Sequence, residues 1–350
     1  MARYLGGLLT ADESQVIPSN NYASTSGNGV FTSDEQLLLN KQSLWPTAGN
    51  AAPRGVFAGG DTGSVVNVIQ YIDISSTGDA TDFGDLTESR SGLSACGSNT
   101  RGVFSGGKEL SSNTHTNVID YITFASTGNA TDFGNLTVAT LRMPACASNT
   151  RGLNQIGGNQ FSDEFLETVE YITIASTGNA TDFGDLTQEK NLLGAAASTT
   201  RAVATGGNTG SRSNVIEYFT ISSTGNGTDF GDLTTATKSL AAVASATRLV
   251  NGGGNTSSAS RINTMEYVTI ASTGNATDFG DLTVAREDLA GGVSNSTRGC
   301  FAGGVNSSSS RENTIDYITI GSTGNATDFG NLTNTPSELA GTASSVASQQ

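Results

Sequence analysis

The 350-residue chain has a single histidine, His115, one tryptophan and only 5 prolines. With no recurrent serine or cysteine nucleophile beside His115, a Ser-His-Asp or Cys-His catalytic arrangement has almost nothing to work with. Basic residues are scarce too: 17 Lys and Arg stand against 32 Asp and Glu, a net charge of -15. A phosphate backbone or an anionic membrane surface is held by clustered cations, and these are scattered, so neither nucleic acid nor a membrane surface is an expected partner. No run of 18 apolar residues occurs, so nothing is expected to insert in a membrane. The N-terminus MARYLGGLLTADESQ lacks the basic region and long apolar core of a signal peptide. The 3 cysteines cannot all pair, and Cys96 and Cys146 hold equivalent places in successive repeats; they and Cys300 are expected as small buried residues.

What the chain has in abundance is glycine, 44 residues, with many Ser, Thr and Asn and only 14% charged residues. That composition suits short strands and tight turns and predicts an all-β protein. The stretch STGNATDFGDLT at 176–187 returns with small changes at 76, 126, 223, 272 and 322. Tyr71, Tyr121, Tyr171, Tyr218, Tyr267 and Tyr317 mark the repeat at spacings of 50, 50, 47, 49 and 50. Arg54, Arg101, Arg151, Arg201, Arg248 and Arg298 mark it again at 47, 50, 50, 47 and 50. Six units of about 50 residues, built from strands, predict a six-bladed propeller over 43–350.

Each unit divides into four strands. In 92–137 these are GLSACGS, RGVFSGG, NVIDYITFAS and ATDFGNLT, joined by a tight turn, a variable loop and the turn STGN. The third strand alternates with a period of two and is apolar on both faces, as a sheet packed between neighbours requires. Phe133 and its equivalents are expected to wedge between blades. The last segment, SELAGTASSVAS at 337–348, matches a first strand with no second strand after it, while the unit beginning at Arg54 lacks one. The C-terminal strand around Leu339 to Ser345 is therefore expected to close the ring, in preference to the proline-bearing 43–53. Residues 1–42 lie outside the repeat, with Ser33 and Gln36 placed to cap a short helix.

The glycine pairs that end each second strand are read at Gly59-Gly60, Gly106-Gly107, Gly157-Gly158, Gly206-Gly207, Gly252-Gly253 and Gly303-Gly304. With the following Tyr and a later aromatic, they make the units resemble kelch repeats, with Phe where kelch usually has Trp. The N-terminal MARYLGGL, GVFT, EQ and WP pattern is similar to the start of tailed-phage virion proteins, especially of marine phages. That resemblance implies a tail fibre, receptor-binding or decoration protein located in the virion. Its N-terminal segment would contact other virion proteins, its propeller would face a host-surface glycan or protein, and it would be compatible with homo-oligomerisation. A cellular kelch-like scaffold and a secreted carbohydrate-active enzyme are the alternatives.

Connections from strand one to two and from three to four leave one side of a propeller, and the other two leave the opposite side. The constant SNT and STGNAT pieces share the first side, and the divergent loops share the second. If the second side binds a ligand, its aromatic, histidine and arginine residues are the candidate contacts: His115, Phe161, Phe165, Arg212, Arg261 and Arg311. On the constant side, arginine–aspartate pairs such as Arg151 with Asp182 and Arg201 with Asp229 are expected to brace the blades. Asn179, Asp182 and Asp185 gather oxygens, but their spacing departs from a calcium loop, so no metal and no cofactor is expected. Every acid that stands out is repeated, whereas a catalytic pair should be unique in a ring, so no catalytic residue is assigned.

Overall fold

The computed structural model describes residues 53–109, 114–158, 164–256, 260–289 and 291–344. The compact unit that holds the repeats is Pro53–Gln350. The expected N-terminal helix and the segment 43–52 fall outside the described residues. Six four-stranded antiparallel sheets form the blades of a β-propeller, and three two-stranded ribbons lie beside them. No helix occurs among the described residues.

Blade 2 shows the pattern: Ser94–Gly97, Arg101–Ser105, Val118–Thr123 and Thr131–Asn135 pair in chain order. Blade 1 takes Arg54–Ala58, Val68–Asp73 and Thr81–Asp85 from the start of the repeats and its first strand, Ala340–Ala343, from the end. The register Val56↔Thr342 and Phe57↔Gly341 seals the ring as expected. The first strands line the axis, since their Ala, Gly and Cys residues surround one continuous set of central cavities. Only small side chains fit where six strands converge.

Six core clusters follow the ring, each drawn from two adjacent blades. Alternation explains this arrangement. In the second strand of blade 4, Ala202 and Ala204 face blade 3 while Val203 faces blade 5. Phe183 meets Phe219 of the next blade edge-on at 6.0 Å, which is the wedging role expected of the outer-strand aromatics.

The repeated motif STGNATDFGDLT works between blades. Gly178 N–H donates to Phe133 O at 2.8 Å, and Asn179 Oδ1 accepts from Asn135 N–H at 3.0 Å, both on the preceding blade. The next blade docks in the same way on Gly184, where a Cβ would lie 2.5 Å from Gly225 O and φ is 147°. Only glycine permits that approach. The glycine pairs hold a similar crowded place, and their shared φ values near 65° and 105° correct one reading: in blade 5 the pair is Gly253-Gly254, not Gly252-Gly253.

Candidate functional site

The constant side is built by one device repeated around the ring. Each repeat arginine lies over the tyrosine of its own blade at 4.2–4.9 Å from the ring centroid. Its guanidinium also donates to a carbonyl of the following blade: Arg151 to Ile221 O, Arg201 to Ile270 O, and, across the seam, Arg298 to Ile74 O, at 2.8–2.9 Å. The expected pairs Arg151–Asp182 and Arg201–Asp229 are not formed. Asp182 and Asp229 sit near the start of the outer strand and are exposed to water, whereas the arginines point at the seam. Asn179, weighed as a calcium ligand, gives its side-chain oxygen to the preceding blade instead.

On the opposite side, the loops between second and third strands carry five of the expected contact residues at one register position. His115, Arg212, Arg261 and Arg311 each form a bridge with the start of their own hairpin, and Phe165 holds the matching place. Phe161 lies outside the described residues. Three of these side chains are committed to the neighbouring blade. Arg212 donates to Asn255 Oδ1, Arg261 reaches Glu287 at 2.8 Å and Ser309, and Arg311 pairs with Asp61 at 2.8 Å. They lace the rim together, blade to blade.

The centre of that side holds the more distinctive geometry. Immediately before each first strand, one residue adopts a left-handed backbone: Gly92, Arg142, Leu192, Ser239, Asp288 and Glu338, with φ of 53–63°. Their main chains bond in a closed circle. Gly92 N–H donates to Glu338 O, Arg142 to Gly92, Leu192 to Arg142, Ser239 to Leu192, Asp288 to Ser239 and Glu338 to Asp288, at 2.8–3.2 Å. Left-handed φ costs a non-glycine residue roughly 1 kcal/mol or more. Five of the six positions carry that cost, and all six side chains differ.

This collar surrounds an axial cavity of about 110 Å³. The residues that follow the collar, Leu93, Met143, Leu193, Leu240, Leu289 and Leu339, are buried and form its apolar lining. Arg142 and Glu338 face each other at 3.3 Å, partly exposed. Burial pushes the Asp288 carboxyl up to about 6, and the nearby Glu338 and Glu287 carboxylates add to the rise. Below the collar a second axial space of about 80 Å³ is lined by small residues, among them Cys96 and Cys146. Burial raises the Cys96 and Cys300 thiols to about 12, and Cys146 rises as well. All three are free buried thiols, as expected, and protonated thiols are poor nucleophiles.

The cavity offers an apolar floor under an arginine, two carboxylates and a hydroxyl. It is smaller than the roughly 300–1,000 Å³ of a ligand-sized pocket, so it suits one protruding group of a larger partner. None of the collar residues was singled out by sequence reasoning, which placed contacts on aromatics and arginines of the longer loops. The signal that marks them is a position that changes in every copy, always followed by Leu or Met. No protein-family model matches the chain, and no curated protein matches it either.

Proposed function

We propose that this chain is a non-enzymatic component of a virion, a tail-fibre, receptor-binding or decoration protein, that makes its contact through the loop-bearing side of the propeller. The collar is the centre of that contact. One observation carries the reading: six equivalent residues share a costly backbone conformation and a closed hydrogen-bond circle, yet present Gly, Arg, Leu, Ser, Asp and Glu. A merely architectural ring would settle on glycine. Arg142, Asp288 and Glu338 supply the charge-assisted donors and acceptors that bind hydroxyl groups, and the Leu and Met floor suits the apolar face of a sugar ring or side chain. A host-surface glycan is therefore the favoured partner, with another virion protein as the second.

The virion assignment rests on the resemblance of residues 1–46 to tailed-phage virion proteins, and those residues would attach the propeller to the particle. The non-enzymatic reading is supported by a lone histidine and by acids that recur around the ring. Mass spectrometry of purified particles tests the placement: the reading expects peptides of this chain in the particle fraction, and their absence from every particle contradicts it.

A further inference from the structure

The residue just before each repeat tyrosine sits at the seam between blades: Gln70, Asp120, Glu170, Glu217, Glu266 and Asp316. Each is received by a threonine of the preceding blade, as Thr87 donates to Asp120 and Thr283 to Asp316. Thr137 and Thr234 donate to Glu170 and Glu266 in the same manner, and Thr333 donates to Gln70. Three residues after the threonine comes a second partner, and here the blades divide.

Blades 2, 4 and 6 supply a fully buried cation. Arg90 meets Asp120 at 2.8 Å, Lys190 meets Glu217 at 2.5 Å and Arg286 meets Asp316 at 2.8 Å. Blade 1 balances its seam without charge: Gln70 stands in the acid's position and Pro336 in the cation's, and the Gln70 amide bonds to Asn334 and Thr333. In these four blades acid and cation are present together or absent together. Blades 3 and 5 break the pairing: Glu170 and Glu266 are kept, while Thr140 and Thr237 stand where the cation would be. Removing a carboxylate from water without a counter-charge is costly; in blade 3 burial pushes the Glu170 carboxyl up, toward its neutral form, and in blade 5 a cation from solvent would meet the same cost.

Blade 5 has the room for it. In blade 6 the Arg286 guanidinium is held by Gly303 O at 3.0 Å, Thr314 O at 2.8 Å, Phe301 O at 3.3 Å and the Asp316 carboxylate. In blade 2 the Arg90 guanidinium is held by Gly106 O, Val118 O, Phe104 O and Asp120 at 2.7–3.3 Å. By register, the same oxygens in blade 5 belong to Gly253, Thr264, Asn251 and Glu266. These four residues, Thr237 and the apolar Leu233, Leu240 and Ile262 line a cavity of about 20 Å³. That is space for one water-sized particle, which needs roughly 10–15 Å³. The cavity's polar side offers, by register, one carboxylate and three neutral carbonyls, oxygen donors that suit a hard cation of single charge rather than calcium, which recruits several carboxylates.

We propose that the seam of blade 5 binds a small monovalent cation, sodium or potassium, in the position the guanidinium fills in blades 2 and 6. This site is structural and does not depend on the proposed virion role. Its test is the melting temperature of the full chain in sodium, potassium and choline chloride at equal ionic strength. Sodium or potassium should raise the midpoint by about 2–4 °C over choline, which is too large for the cavity. Glu266→Gln should abolish the difference, and Thr237→Arg, which supplies the charge covalently, should abolish it while melting no lower than the parent. Equal midpoints of the parent in all three salts would overturn the proposal. So would a salt difference that persists in Glu266→Gln or, if that variant fails to fold, in Thr237→Arg.

Discussion

The two sides of the propeller solve opposite problems with the same six-fold frame. On the constant side, near-identical side chains do one job at every seam: arginine over tyrosine and onto the next blade's carbonyl, and asparagine, or Asp79 in blade 1, onto the preceding blade's amide. At the collar the backbone is what repeats, and the side chains diverge. Copies within one chain start alike, so identity marks positions where geometry tolerates one answer. Divergence on a constrained backbone marks positions where geometry is already settled and chemistry is free to vary. The rim arginines fall between these cases, since Arg212, Arg261 and Arg311 diverge from His115 and Phe165 yet lace neighbouring blades.

Substituting glycine on each side should break this comparison most visibly. Gly184→Ala would force a Cβ to 2.5 Å from Gly225 O in a conformation only glycine adopts, and a loss of about 3 kcal/mol or more is expected by chemical denaturation. Gly92→Ala in the collar meets nothing nearer than 3.5 Å and joins five non-glycine neighbours, so about 1 kcal/mol is expected. Next in size is Arg201→Ala, which removes a stack on Tyr218 at 4.2 Å and a 2.8 Å bond to Ile270 O. A loss of about 2 kcal/mol should appear in the same measurement.

A smaller effect is expected from Asp288→Asn. The native carboxyl titrates near 6 against an unfolded value of 3.8, so the folded chain binds more protons between those pH values and the parent loses stability as pH rises through them. The asparagine variant should lack that decline. It should be more stable than the parent by roughly 1–2 kcal/mol at pH 7, after allowance for the group's partial exposure, and equal to it below pH about 4. Asp182→Asn should change the melting temperature least, within about 1 °C, because the exposed carboxylate braces nothing.

The architecture was legible because periodicity survives in side-chain type. Two residue markers counted six blades, and an orphan first strand at the C-terminus announced the closure seen at Phe57↔Gly341. Partners were less legible. The arginines carry a charge that suggests aspartate, but Asp182 directly precedes the buried Phe183 and so points to the opposite, solvent side of the outer strand, and a backbone carbonyl leaves no mark in sequence. The collar was hidden for a related reason. Left-handed φ is ordinarily announced by glycine, and only Gly92 gives that sign. The buried ion pairs joining Arg90, Lys190 and Arg286 to the third strands also escaped notice, because those cations sit in segments that otherwise read as exposed connections.

The central claim, that the collar is the contact surface and the constant side is scaffold, is tested most directly by a glycan array probed with the parent, Arg142→Ala/Glu338→Ala and Asp182→Asn proteins. The expected result is retention of a bound glycan by Asp182→Asn and its loss, by at least about tenfold in affinity, in the collar double variant at unchanged melting temperature. Undiminished binding by a folded collar variant would contradict the account.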